Sequence, residues 1–91
     1  MSVTVRIPSP LRRVTNGAEK AEVQGGTLEK CINELEAQFP GIRERLLDES
    51  GDLRYFVNVY LNGEDVRFLQ GLNTDTKPGD ELSIVPAVAG G

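Results

Sequence analysis

The sequence predicts an α+β fold, a sheet carrying its main helix on one face. Three stretches point there. Val3, Val5 and Ile7 alternate with Ser2, Thr4 and Arg6; Leu28, Cys31, Ile32, Leu35 and Phe39 recur at helical spacing; and Tyr55-Phe56-Val57-Asn58-Val59-Tyr60-Leu61 is dense in β-branched and aromatic residues. Two strands, one helix and then further strands is the order of an α+β sheet.

Each element has local cause. The first strand has one buried face, by its period of two, and Pro8 and Pro10 end it. Asn16-Gly17 is a turn signal, and Glu19-Lys20-Ala21-Glu22-Val23 resumes the alternation as a second arm closed by Gly25-Gly26. That pair lacks the third spaced glycine of an anion-binding loop and reads as a turn. Thr27 can cap the next helix through its hydroxyl, and Glu29 suits the positive end of the helix dipole. Pro40-Gly41 ends that helix. Cys31 sits on the apolar stripe, where it reads as a small core residue and not as a reactive thiol.

Ile42 to Leu47 predicts a short helical turn that carries Ile42, Leu46 and Leu47 inward, and Asp48 to Asp52 an exposed connection. In the strand from Tyr55 to Leu61, the set Tyr55, Val57, Val59 and Leu61 is assigned to the core. Phe56 and Tyr60 then lie on the outer sheet face, where they either anchor a partner or are covered by a neighbouring loop. Asn62-Gly63 predicts a hairpin into a short strand over Glu64 to Phe68, and Gly71, Asn73, Pro78 and Gly79 punctuate a turn-rich connection. Leu82 to Val85 is the last strand, with Leu82 and Ile84 on one side and Val85 able to join Tyr60 on the other.

Composition excludes several functions. A chain of 91 residues fits one small domain, and 38% apolar with 26% charged residues is a globular balance. No apolar run approaches the roughly 18 residues that span a bilayer, and the opening residues do not read as a secretory signal, so no membrane association and a cytoplasmic location are expected. The net charge of −4 repels phosphate backbones, so nucleic acid is not an expected ligand, and Arg12-Arg13 with Lys20 reads as a solvated loop. The acidic balance instead suits a basic protein partner. Histidine is absent, which removes the usual general base and the commonest metal ligand. One cysteine excludes an intrachain disulfide. Asp48-Glu49, Glu64-Asp65 and Asp80-Glu81 lie beside turn signals and read as solvated charges. With no phosphate-binding glycine loop, ATP would have to be bound by another protein. Neither a metal nor a cofactor is expected, nor catalysis by the chain alone.

The sequence closes on Pro86-Ala87-Val88-Ala89-Gly90-Gly91. Two glycines without Cβ atoms let a main chain enter a passage too narrow for side chains, which suits delivery of the final carboxylate. A frayed terminus is the plain alternative. The expected organisation is a body over residues 1–86 and a tail over 87–91, which spans about 17 Å when extended.

Asn62-Gly63 closing a hairpin, Gly79-Asp80-Glu81-Leu82 leading into a final strand, and the Gly-Gly end together resemble the ubiquitin-like β-grasp sulfur carriers over the whole chain. Val3-Thr4-Val5, Phe56-Val57-Asn58, Glu64-Asp65-Val66-Arg67-Phe68 and the last six residues are most similar to the subgroup serving cysteine biosynthesis. The resemblance implies a mixed sheet packed on one main helix. It further implies that an ATP-dependent E1-like activating enzyme adenylates the Gly91 carboxylate, that a sulfur donor converts the adenylate to a thiocarboxylate, and that a sulfur-accepting synthase for cysteine, thiazole or molybdopterin collects the sulfur. Ala87, Val88, Ala89 and Gly90 would thread Gly91 into these enzymes, with Phe56, Tyr60 and Val85 docking the body. Ubiquitin carries arginines in the matching tail, whereas Ala87, Val88 and Ala89 are uncharged, which favours sulfur carriage over a ubiquitin-like modifier of lysines.

Overall fold

The computed structural model describes residues 2–86. Their five strands are β1 (Val3–Arg6), β2 (Lys20–Val23), β3 (Val57–Leu61), β4 (Glu64–Asp65) and β5 (Glu81–Pro86), in one sheet of order β2-β1-β5-β3-β4. β1 runs parallel to β5, with Val5 opposite Leu82, and the other three pairings are antiparallel. The sheet is therefore mixed, and its central strand comes last in sequence. Helix α1 (Leu28–Gln38) and the short α2 (Ile42–Leu46) connect the two halves.

The apolar periodicities converge on one core. Val3, Val5 and Ile7 are buried, as are Ala21 and Val23 of β2. Leu28, Cys31, Ile32 and Leu35 of α1 meet Val5, Val59, Leu82 and Ile84 of the sheet around a residual void of about 10 Å³. That is barely the volume of one water, and its apolar lining keeps it dry. Ile42, Leu46 and Leu47 are buried as expected. At the start of α1 the Thr27 hydroxyl accepts the Lys30 N–H at 3.3 Å. At its other end the Glu36 carboxylate accepts the N–H groups of Gly41 and Arg43, joining the two helices. The Asn62-Gly63 loop has φ of 50° and 90°, the positive angles of a type I′ hairpin turn, and brings Glu64 opposite Leu61.

Three expectations change. The strand predicted from Tyr55 begins at Val57, and Tyr55 is not a core residue: it is 91% exposed. The Val57 N–H turns back to the Arg54 carbonyl at 2.9 Å, closing a turn over Tyr55 and Phe56. The extended backbone starts only after that turn, so the alternation does not dictate where Tyr55 points. The strand predicted over Glu64 to Phe68 contracts to Glu64–Asp65, because the Asp65 side chain caps a 3-10 turn (Val66–Phe68) at the Arg67 N–H. That turn buries Val66 and exposes Phe68. Between β1 and β2 the chain inserts another 3-10 turn (Ser9–Leu11) that sends Leu11 into the core, so the link is longer than a tight hairpin.

The connection before β5 crosses the start of α1. Thr74 is buried, its carbonyl accepts the Leu28 N–H, and Thr76 exchanges hydrogen bonds with the backbone of Gly26. Among the described residues no helix is long and apolar enough to cross a membrane. The strand order, with α1 on the inner face, is the ubiquitin-like β-grasp arrangement.

Candidate functional site

The body's last described residue, Pro86, stands opposite Val57 at the end of the central strand. Around it lies an open groove of about 340 Å³. Pro10 and Leu11 form one wall, Glu44 and Arg45 of α2 another, and Arg54, Phe56 and Val57 with Pro86 itself complete it. Arg54 is held by a 3.0 Å hydrogen bond from its Nε to the Glu44 carbonyl. The side chains of Phe56 and Tyr55 meet edge to face, their ring centres 5.4 Å apart. Gly91, Gly90, Ala89, Val88 and Ala87, the residues expected to react and to thread, lie outside the described residues.

Tyr60 and Val85 share the outer face of the sheet, because Val85 is opposite Asn58 and Tyr60 is opposite Ser83 on the face away from Val59 and Ile84. Val85 is substantially exposed and Tyr60 partly so. Phe56 does not continue this face: it precedes β3 and belongs to the groove at the strand's end. The structure thus divides the expected docking set in two. Arg67 bridges the parts, donating from Nη1 to Asn58 Oδ1 and from Nη2 to the Arg54 carbonyl. Residue-by-residue reading missed Arg67, Arg45 and Arg54 because lone arginines carry no periodic signal and their neighbours are set by the fold.

The titratable groups serve the frame. Glu36 lies below the usual carboxylate range because the Arg43 and Gly41 N–H groups stabilise its anion. Asp80 is lowered chiefly by the Asn62 side-chain amide and then by the Lys77 N–H. The hydroxyls of Ser2 and Thr4 do the same for Glu22. Burial pushes the Cys31 thiol up, its Sγ lying 3.8 Å from the Thr76 hydroxyl, so it is a poor nucleophile. Among the described residues no three His, Cys, Asp or Glu side chains group to hold a metal ion.

The body is a β-grasp sheet whose central strand closes at Pro86, four positions before Gly90-Gly91 in the sequence. The chain is a β-grasp sulfur carrier and belongs to the ThiS family, whose model matches residues 5–91. It is 52% identical to the sulfur carrier protein CysO of Mycobacterium tuberculosis, over the full length of both chains. A chain in the crystal structure of the Amycolatopsis orientalis BexX/CysO complex is 48% identical and superimposes with a TM-score of 0.92, covering 98% of this chain and 99% of that one. The small archaeal modifier protein 3 of Haloferax volcanii is 40% identical over 65 residues, covering 71% of this chain and 70% of its own.

Proposed function

We propose that this carrier delivers sulfur for cysteine biosynthesis, and that its reacting group is the carboxylate of Gly91. The observation that supports this most directly is the full-length 52% identity to a carrier called CysO, with a family match that runs through Gly91. Residues 1–86 would act as the body and 87–91 as the tail, threading Gly91 through Ala87, Val88, Ala89 and Gly90.

A carboxylate near pKa 3.5 is anionic at neutral pH, able to attack phosphorus but resistant to attack at its own carbon. An E1-like enzyme binds the ATP; the Gly91 oxygen attacks the α-phosphorus and pyrophosphate leaves. A sulfide-level donor then attacks the acyl carbon and AMP departs, leaving a thiocarboxylate. A cysteine synthase presents an activated serine derivative, whose leaving group is displaced by the sulfur, and acyl transfer to the amino group leaves cysteine on Gly91 for a peptidase to release. Acid, base and ATP-binding groups come from these partners, in keeping with a chain that has no histidine and a buried thiol. The complex of the Amycolatopsis relative with BexX supports a carrier that works in partnership. This chemistry suits the cytoplasm, where sulfide and ATP are at hand.

Intact-mass analysis after incubation with the activating enzyme, ATP and sulfide should show one oxygen replaced by sulfur at Gly91. An unchanged mass, where a control carrier is converted, rejects the reading. The likeness to an archaeal modifier protein favours one second reading, attachment of Gly91 to lysines. High-mass adducts that survive reductant and disappear when Gly91 is deleted would establish it.

A further inference from the structure

We propose that the groove at the end of β5 is a docking site for an acidic side chain flanked by apolar ones at the mouth of the activating enzyme. The inference rests on the Gly91 reading and adds the surface that makes the encounter selective. Five residues reach about 17 Å from Pro86, so an enzyme that draws Gly91 into a recess must lie against the body around Pro86. The groove is built on Pro86 and falls inside that footprint.

Its chemistry defines the occupant. Pro10, Phe56 and Pro86 offer apolar surface over the buried Leu11 and Val57, and Arg45 and Arg54 line the same depression. Among the described residues the ion pairs are Arg6–Glu81 and Arg12–Glu19, so the exposed Arg45 has no ion-pair partner there. Arg54 is already oriented by its bond to the Glu44 carbonyl, so little order is lost when it takes a carboxylate. The net charge of −4 would suggest a basic partner, yet the surface beside the tail's origin carries two cations against the single carboxylate of Glu44. Local charge governs close contact, because screening confines the rest of the field to about 10 Å at 0.1 M salt.

The test is ATP–pyrophosphate exchange by the E1-like activating enzyme of the same organism, with the full chain as substrate. Arg45→Glu should raise the apparent KM for the carrier about tenfold while kcat stays within about twofold. Arg45→Lys should recover most of the loss. Lys30→Glu, which makes the same change in net charge at an exposed position of α1, should leave KM within about twofold. Circular dichroism melting confirms that each variant is folded. If Arg45→Glu shifts KM no more than Lys30→Glu, the groove proposal is overturned and the Gly91 reading stands. If the unaltered chain supports no exchange, both fall.

Discussion

Arg67 donates from Nη1 to Asn58 Oδ1 at 2.8 Å, and Asn58 stands opposite Val85 on the outer face of the sheet. Through its second 2.7 Å bond, to the Arg54 carbonyl, the same guanidinium also reaches the backbone that carries the groove. One exposed side chain therefore ties the outer face of the sheet to the segment that lines the groove.

Replacing Arg67 by Ala removes both bonds. Exposure limits the loss, so a destabilisation of about 1 kcal/mol is expected, read as a lower urea midpoint at unchanged slope. Arg67→Lys should recover less than half, because one ammonium does not reproduce the fork that spans two acceptors. A midpoint for Arg67→Ala equal to that of the original chain would show that the bridge carries no stability.

Acid should weaken the joint between α1 and α2. Glu36 is lowered in the folded state by the Arg43 and Gly41 N–H groups, so its contribution is complete above the unfolded value of about 4.3 and disappears as pH falls through the folded value. Asp80 and Glu22 shift in the same direction and add to the acid sensitivity. Glu36→Gln should therefore be less stable than the original chain at pH 7, with the gap narrowing towards pH 3. A gap independent of pH in parallel denaturation curves would contradict this account.

Gly25 has a φ of +104°, and a Cβ added there would lie 3.1 Å from the Thr76 hydroxyl oxygen and 3.2 Å from a Val3 methyl. Neither neighbour can withdraw freely, since Thr76 is bonded to Gly26 and Val3 is fully buried. Gly25→Ala should cost about 1–3 kcal/mol. In a domain of this size that corresponds to a fall in melting temperature of at least about 4 °C. A melting temperature within about 1 °C of the original would refute the steric argument.

Much of the body was legible because local patterns and tertiary demands agree. Leu28, Cys31, Ile32 and Leu35 form a helical stripe in sequence and a buried face in the fold, and Thr27 caps where its hydroxyl suggested. Val66 shows the opposite case. It lies in a segment that reads as a strand, but the Asp65 cap redirects the chain into a 3-10 turn, and burial of Val66 follows from that turn. The buried Thr74 was equally hidden, because its place is set by a carbonyl that meets the start of a helix 46 positions earlier in the chain.

The sequence by itself determined the family: the alternating strands, the single amphipathic helix, the Asn62-Gly63 hairpin and the diglycine end are each a property of neighbouring residues. Only the tertiary structure decided which surface surrounds the end of the central strand. Phe56 leaves the Tyr60 face because it lies in the turn closed by the Val57 N–H on the Arg54 carbonyl, before the strand begins, and it joins Leu11, Arg45 and Arg54 from distant parts of the chain. Periodicity records which way a residue points within its own element; the neighbours it meets depend on how the elements are stacked.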